Sequence, residues 1–231
     1  MKRVYKQVTT CPAEGGWGIA LDGRPMRTPG KNGLVVPSEA LAGAIAAEWD
    51  AQETEIRPAT MPLTRLAATA IDRTAVQRDR VVAETAEYAG TDLLCYRADH
   101  PPALAARQHA EWQPLIDWAT LRYDAPLAAT SGVIPTRQSP ATLKAFAGAV
   151  AALDDFRLTA LHDLTAACGS LVVALALLEG RLDAAAAFAV AQLDETFQIE
   201  AWGEDAEAVK RRCGLAADIE AAARFISLLG K

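Results

Sequence analysis

The spacing of apolar side chains along the chain changes once, near residue 37. Before it, Val4, Lys6 and Val8 alternate with Tyr5 and Gln7, the two-residue period of a strand. Glu14-Gly15-Gly16 marks a turn, and Trp17–Leu21 reads as a second strand. Asp22-Gly23 is a tight hairpin signal that returns the chain through Arg24–Thr28. A further turn at Pro29–Gly33 leads into a short strand, Leu34–Val36. These segments predict a compact antiparallel meander.

After Pro37 the period becomes helical. Ser38 is placed to cap a helix whose Leu41, Ile45 and Trp49 recur four apart on one stripe. A lone meander cannot bury its apolar side, so this helix is expected to cover the sheet. Glu55-Ile56-Arg57-Pro58 reads as an extended linker, because the residue before a proline avoids the helical region. A domain boundary follows from this, with residues 1–57 β-rich and residues 58–231 helical.

Downstream, Leu63, Leu66, Ala67, Ala70 and Ile71 form one stripe, and a further helix is expected over Val76–Tyr88. Leu93–Tyr96 is a short apolar run that fits helix or strand. Pro101-Pro102 opens a helix carrying Trp112, Leu115, Ile116, Ala119 and Tyr123 on one side. Ala125–Pro140 reads as a loop with a short extended segment around Ile134, followed by a helix to about Leu153. From Leu158 to Leu178 a long stripe, apolar all round in its second half, predicts one central buried helix ended by Gly180. Asp183 is placed to cap a helix running to Trp202-Gly203, and a last helix spans about Ala206–Leu229. The fold class is therefore α+β and predominantly helical: a small antiparallel β-rich N-terminal domain, then a larger helical-bundle C-terminal domain.

Composition narrows the function. The 231 residues are 51% apolar and 23% charged, enough for a real core and incompatible with wholesale disorder. A net charge of −6 argues against a nucleic-acid partner, since such domains usually carry a basic face. Cys11, Cys95, Cys168 and Cys213 are scattered without a C-x-x-C pair, so neither a disulfide framework nor a structural zinc site is expected. The opening MKRVYKQVTT lacks the apolar stretch of a signal peptide, and the apolar run near Ala166–Leu178 is too short to span a bilayer. Membrane insertion is not expected. The alanine-rich, arginine-over-lysine bias points to a bacterial cytoplasm, or to the mitochondrial matrix for a eukaryotic source.

Catalytic signatures are missing: there is no H-E-x-x-H, P-loop, G-x-G-x-x-G or G-x-S-x-G. His162 and Cys168 are six apart, which puts them on different faces of a helix, so His162 reads as a packed or hydrogen-bonded helix residue and Cys168 as a small core residue. No catalytic residue, metal or cofactor is assigned. Trp112 and Trp118 are also six apart; Trp112 belongs to the buried stripe, and Trp118 is left as a core contact or a partner-binding anchor. The most distinctive stretch is Leu193–Glu207, with six carboxylates and no Lys or Arg before Lys210. Glu204, Asp205 and Glu207 suit the start of the last helix. Asp194 and Glu195 lie inside the expected preceding helix, and neither has a cation at i±3 or i±4, so each charge needs water or a distant partner.

Several runs then carry a resemblance. They are Met61-Pro62-Leu63-Thr64 with Ala70-Ile71-Asp72; Thr91-Asp92-Leu93-Leu94-Cys95-Tyr96-Arg97-Ala98; Gln108 with Trp112-Gln113-Pro114-Leu115 and Asp117-Trp118-Ala119; and Phe197-Gln198-Ile199-Glu200-Ala201-Trp202-Gly203. In this order and spacing the chain resembles the ATP12 family of F1 assembly chaperones, departing from it at Gln113, where an Asp would precede the proline. The resemblance implies a β-rich first domain and a helical second one. It implies a chaperone, not an enzyme, that binds the free α subunit of F1 ATP synthase before α pairs with β, and that is a monomer when free. Partner-binding residues are expected at Asp194, Glu195, Gln198 and Glu200, with Trp118 as a further contact. The competing reading is a small helical, hydrolase-like enzyme with a pocket near His162, Asp163 and Arg157.

Overall fold

The computed structural model describes residues 2–131 and 136–230. Ile134, and with it the expected extended segment, lies outside them. The chain divides into two compact units.

The first unit is built on a four-stranded antiparallel sheet of β1 (Val8–Ala13), β2 (Gly16–Leu21), β3 (Arg24–Pro25) and β4 (Val35–Val36). It is not a simple meander. β2 is central, with β1 along one side, and both β3 and β4 pair with it: Leu21 opposes Arg24, while Trp17 opposes Val36. β3 is only two residues long, so β4 finds β2 beyond its end. That approach needs a bare backbone at Gly16, where a Cβ would stand 2.2 Å from the Val36 carbonyl oxygen. The β2–β3 turn has both central residues left-handed, Asp22 at φ 47 and Gly23 at φ 77, the twist that a two-residue hairpin favours. The Asp22 carboxylate also accepts from the backbone N–H of Lys6 (3.0 Å) and of Gln7 (2.8 Å). This explains why β1 starts at Val8, four residues later than alternation suggests.

Helix α1 (Glu39–Asp50) covers the sheet as expected. The Ser38 hydroxyl accepts from Leu41 N–H at 3.0 Å, and Leu41, Ala42 and Ile45 pack into one core with Ile19, Leu34 and Val36. Further along α1, the Glu48 carboxylate accepts from the backbone N–H of Leu63 and of Thr64, both at 2.8 Å, and so caps α2 (Pro62–Thr69). Leu63, Leu66 and Ala67 then join the same core, as do Ala160, Phe225 and Leu229. The compact unit accordingly runs to Arg78 and adds Asp154–Ala160 and the residues from Ala221 onward, a wider grouping than a cut at residue 57.

The second unit comprises Asp79–Leu153 and Leu161–Glu220. Along the chain come α3 (Arg78–Glu87), a two-residue strand β5 (Tyr96–Arg97), α4 (Pro102–Tyr123), β6 (Thr130–Ser131) parallel to β5, and α5 (Pro140–Ala151). Then follow α6 (Asp155–Cys168), which belongs to this unit from Leu161, α7 (Leu171–Leu178), α8 (Ala184–Ala191), α9 (Leu193–Trp202) and α10 (Ala206–Leu228), which belongs to it as far as Glu220. The long stripe from Leu158 to Leu178 is two helices. Gly169 turns left-handed at φ 64, and Ser170 starts α7 by accepting from Val173 N–H at 3.0 Å. The expected burial holds: every residue from Leu171 to Leu177 is buried.

The break is held by one fully buried carboxylate. Asp92 accepts from the Ser170 hydroxyl (2.7 Å), from Val172 N–H (3.1 Å) and from Leu94 N–H (3.0 Å). Burial pushes its carboxyl above the usual range, while these donors and those at the start of α7 pull it back.

Two stability predictions follow from this packing. Leu175→Ala is expected to cost about 2–5 kcal/mol in transfer and cavity terms, read as a lower denaturant midpoint. Asp92→Ala leaves three buried donors without an acceptor, each costing about 1–3 kcal/mol, so it should lower the midpoint well beyond Asp183→Ala, the loss of an exposed cap worth about 1 kcal/mol.

Candidate functional site

The acidic stretch sits on a helix that starts afresh. Gln192, at φ −109 and ψ 22, ends α8, so the single helix expected from Asp183 to Trp202 is two. Asp194 and Glu195 thereby fall in the first turn of α9, where the helix dipole favours carboxylates, and not in a helix interior. Their partners come from elsewhere in the chain, beyond the reach of any i±4 rule.

Gln108 of α4, itself buried, uses both ends of its amide. Its Oε1 accepts from Ala98 N–H at 2.7 Å, which leaves Nε2 aimed at Asp194 Oδ1, also at 2.7 Å. Nearly two turns further along α9, Glu200 receives both of its hydrogen bonds from Arg107, at 2.8 and 3.0 Å. Glu195 pairs with Arg211 of α10, and the half-buried Arg212 lies 3.9 Å from its other oxygen. Arg212 also reaches Thr196 (3.0 Å) and Glu204 (3.6 Å), with its guanidinium over the Phe188 ring. Gln198 is exposed. The structure thus brings Asp194, Glu195, Gln198 and Glu200 together on α9. It neutralises Glu195 and Glu200 with arginines but gives Asp194 an amide.

Trp118 lies elsewhere on α4. It is half-buried, meets Tyr123 edge to face, and has the Arg181 guanidinium 5.8 Å from its ring. Arg181 also borders a groove of about 610 Å³ whose apolar wall is made by Leu115, Leu182, Ala186, Ala189, Val190 and Leu193, with Arg107 on its rim. Trp112 belongs to the core beside it and donates its indole N–H to the Val190 carbonyl at 3.1 Å.

Sequence reasoning missed Gln108, Arg107, Arg211 and Arg212 as partners. Only the run of basic residues straight after the acidic stretch hinted at two of them.

Nothing in this arrangement does covalent chemistry. His162 bonds only weakly to its neighbour Asp163, at 3.5 Å, while Arg157 is committed to Asp154 and to the Gly230 carbonyl. Burial pushes the Cys168 thiol up to about 12, the reverse of an activated nucleophile. Among the described residues no group of His, Cys, Asp and Glu could hold a metal, and no helix is long and apolar enough to cross a membrane.

The site is a helix face held by neighbouring arginines and an amide. The comparisons say which class of protein carries it. The family model described as ATP12 chaperone protein matches residues 2–120. Over 222 residues the chain is 27% identical to the mitochondrial ATP12 protein of Schizosaccharomyces pombe, covering 90% of this chain and 76% of that one. Its fold matches the crystal structure of ATP12 from Paracoccus denitrificans with a TM-score of 0.95 and 48% identity, over 99% of this chain and 98% of that one. A protein of Agrobacterium tumefaciens matches at 0.94 and 43%, over 99% and 86%. The chain belongs to the ATP12 chaperone family, and the hydrolase-like alternative falls away.

The thiols offer a check on the packing. Cys95 and Cys168 are buried, with both thiols pushed up to about 12, whereas Cys213 is exposed. In the native protein at mildly alkaline pH, iodoacetamide should label Cys213 readily and leave Cys95 and Cys168 unmodified until denaturant is added, as read by peptide mass.

Proposed function

We propose that this protein is an ATP synthase assembly chaperone that binds the free F1 α subunit and prevents its aggregation until α meets β. It acts as a monomer in the bacterial cytoplasm, the mitochondrial matrix being the corresponding place for a eukaryotic relative. A free subunit exposes apolar surface meant for its neighbour, and such surface aggregates unless covered reversibly. In this reading the contact face is α9, through Asp194 and Gln198 with Glu195 and Glu200 beside them, and Trp118 is a second contact on α4. One observation carries this reading. Asp194 is held in place by the Gln108 amide and has no ion pair among the described residues, so its charge is oriented yet unspent. A preoriented free carboxylate suits a basic patch on a client and costs little to order.

The test is light scattering of isolated F1 α subunit with and without this protein. Stoichiometric protein should suppress aggregation of α and should not bind assembled F1; undiminished scattering would refute the assignment. Asp194→Lys should weaken α binding by about 2–5 kcal/mol while the circular dichroism is kept. Asp194→Asn retains an acceptor for Gln108 but removes the charge. Equal binding by Asp194→Asn and wild type would show that the charge is not used.

A further inference from the structure

Trp202 stands at the last turn of α9 with 81% of its surface exposed. An indole is a large apolar group, and the protein's other described tryptophans are all buried or half-buried. Nothing local explains the exposure. Gly203 follows at φ 84 and turns the chain away into α10, so the ring is left at the end of the helix without cover.

Its position along the helix is informative. Asp194, Gln198 and Trp202 are spaced i, i+4, i+8, which places them in one row on one face of α9. The row therefore runs from an oriented carboxylate through an exposed amide to a bare indole. Within this stretch of sequence the charge has one sign. From Leu193 to Glu207 there is no Lys or Arg. Arginines answer Glu200, and Glu204 beyond the end of α9; Glu195, two turns before Trp202 on the same side of the helix, is paired with Arg211. Asp205 is spent as a cap, accepting from Glu207 N–H at 2.9 Å and Ala208 N–H at 2.8 Å, but its charge remains, as does that of exposed Glu207.

We propose that Trp202 is the anchor of the client contact, inserting its indole into an apolar cavity on a folded protein partner whose rim carries Lys or Arg. The inference rests on the chaperone reading above and deepens it. It names the side chain that supplies the apolar part of the contact and the chemistry of the surface that receives it. A tryptophan at the centre with charges around it is the arrangement in which a few residues carry most of the affinity while the rim sets the encounter rate.

The experiment titrates wild type, Trp202→Ala and Trp202→Phe with isolated F1 α subunit. Trp202→Ala should weaken binding by about thirtyfold or more, the loss expected of an anchoring indole, and Trp202→Phe by much less. Thermal midpoints should match wild type, because an exposed ring contributes little to the core. A second readout does not depend on the alanine variant. Acrylamide quenching of wild type minus that of Trp202→Phe isolates Trp202, and α should shield it. Wild-type affinity in Trp202→Ala, or an unshielded Trp202 in the complex, would overturn the inference while leaving the chaperone reading intact. Failure of wild type itself to bind α would overturn that reading, and the anchor with it.

Discussion

The helical unit depends on a carboxylate that has no access to water. Asp92 gathers the Ser170 hydroxyl and two backbone N–H groups, and in doing so joins the turn at Leu94 to the start of α7. α7 is buried on every side, so its first-turn donors cannot be satisfied by solvent, and something inside the protein must accept from them. One short acidic side chain does so from a distant part of the chain. The adjacent contact from Leu93 N–H to the Gly169 carbonyl, at 3.1 Å, fastens the same two segments through their backbones. A helix buried on every side is thereby positioned by a buried carboxylate, and α4 and α8 pack against it.

On α9 the polar groups are arranged differently. Arg107, Arg211 and Arg212 reach in from α4 and α10 and tie down Glu195 and Glu200 of α9 and Glu204 in the link that follows it. Exposed pairs of this kind add little stability individually, typically about 0–1 kcal/mol. Their effect is geometric: several long side chains hold one short helix against its neighbours. Gln198 and Trp202 are exposed on this helix, while Asp194 lies half-buried against the Gln108 amide.

Most elements were legible in the sequence because their signals are local. The Asp22-Gly23 hairpin, the Ser38 cap and the apolar run of α7 each follow from residues within one turn of each other. What escaped was set by contacts far apart in the chain. The helix break at Gly169-Ser170 lies within a continuous apolar stripe, and the fresh start there rests on two acceptors, the Ser170 hydroxyl and the distant Asp92 carboxylate. The break at Gln192 carries no glycine or proline at all, and missing it put Asp194 and Glu195 in a helix interior. β4 returning to β2 depends on the bare backbone of Gly16, which reads in sequence as an ordinary turn residue. For the acidic face, the residues were legible while their state was not: which carboxylates are spent on arginines is decided by α4 and α10.

The core beneath the sheet has a consequence for how the protein is made. Ile19, Leu41 and Leu63 are synthesised early, yet Phe225 and Leu229 pack in the same cluster, and the Ser38 hydroxyl donates to the Leu228 carbonyl across 190 residues. While the ribosome is still translating α4 to α9, the nascent sheet and its covering helix have a gap where those side chains belong. The core of this unit is therefore closed by residues of α10, although its sheet is synthesised first, and a fragment that stops before α10 would lack part of that core.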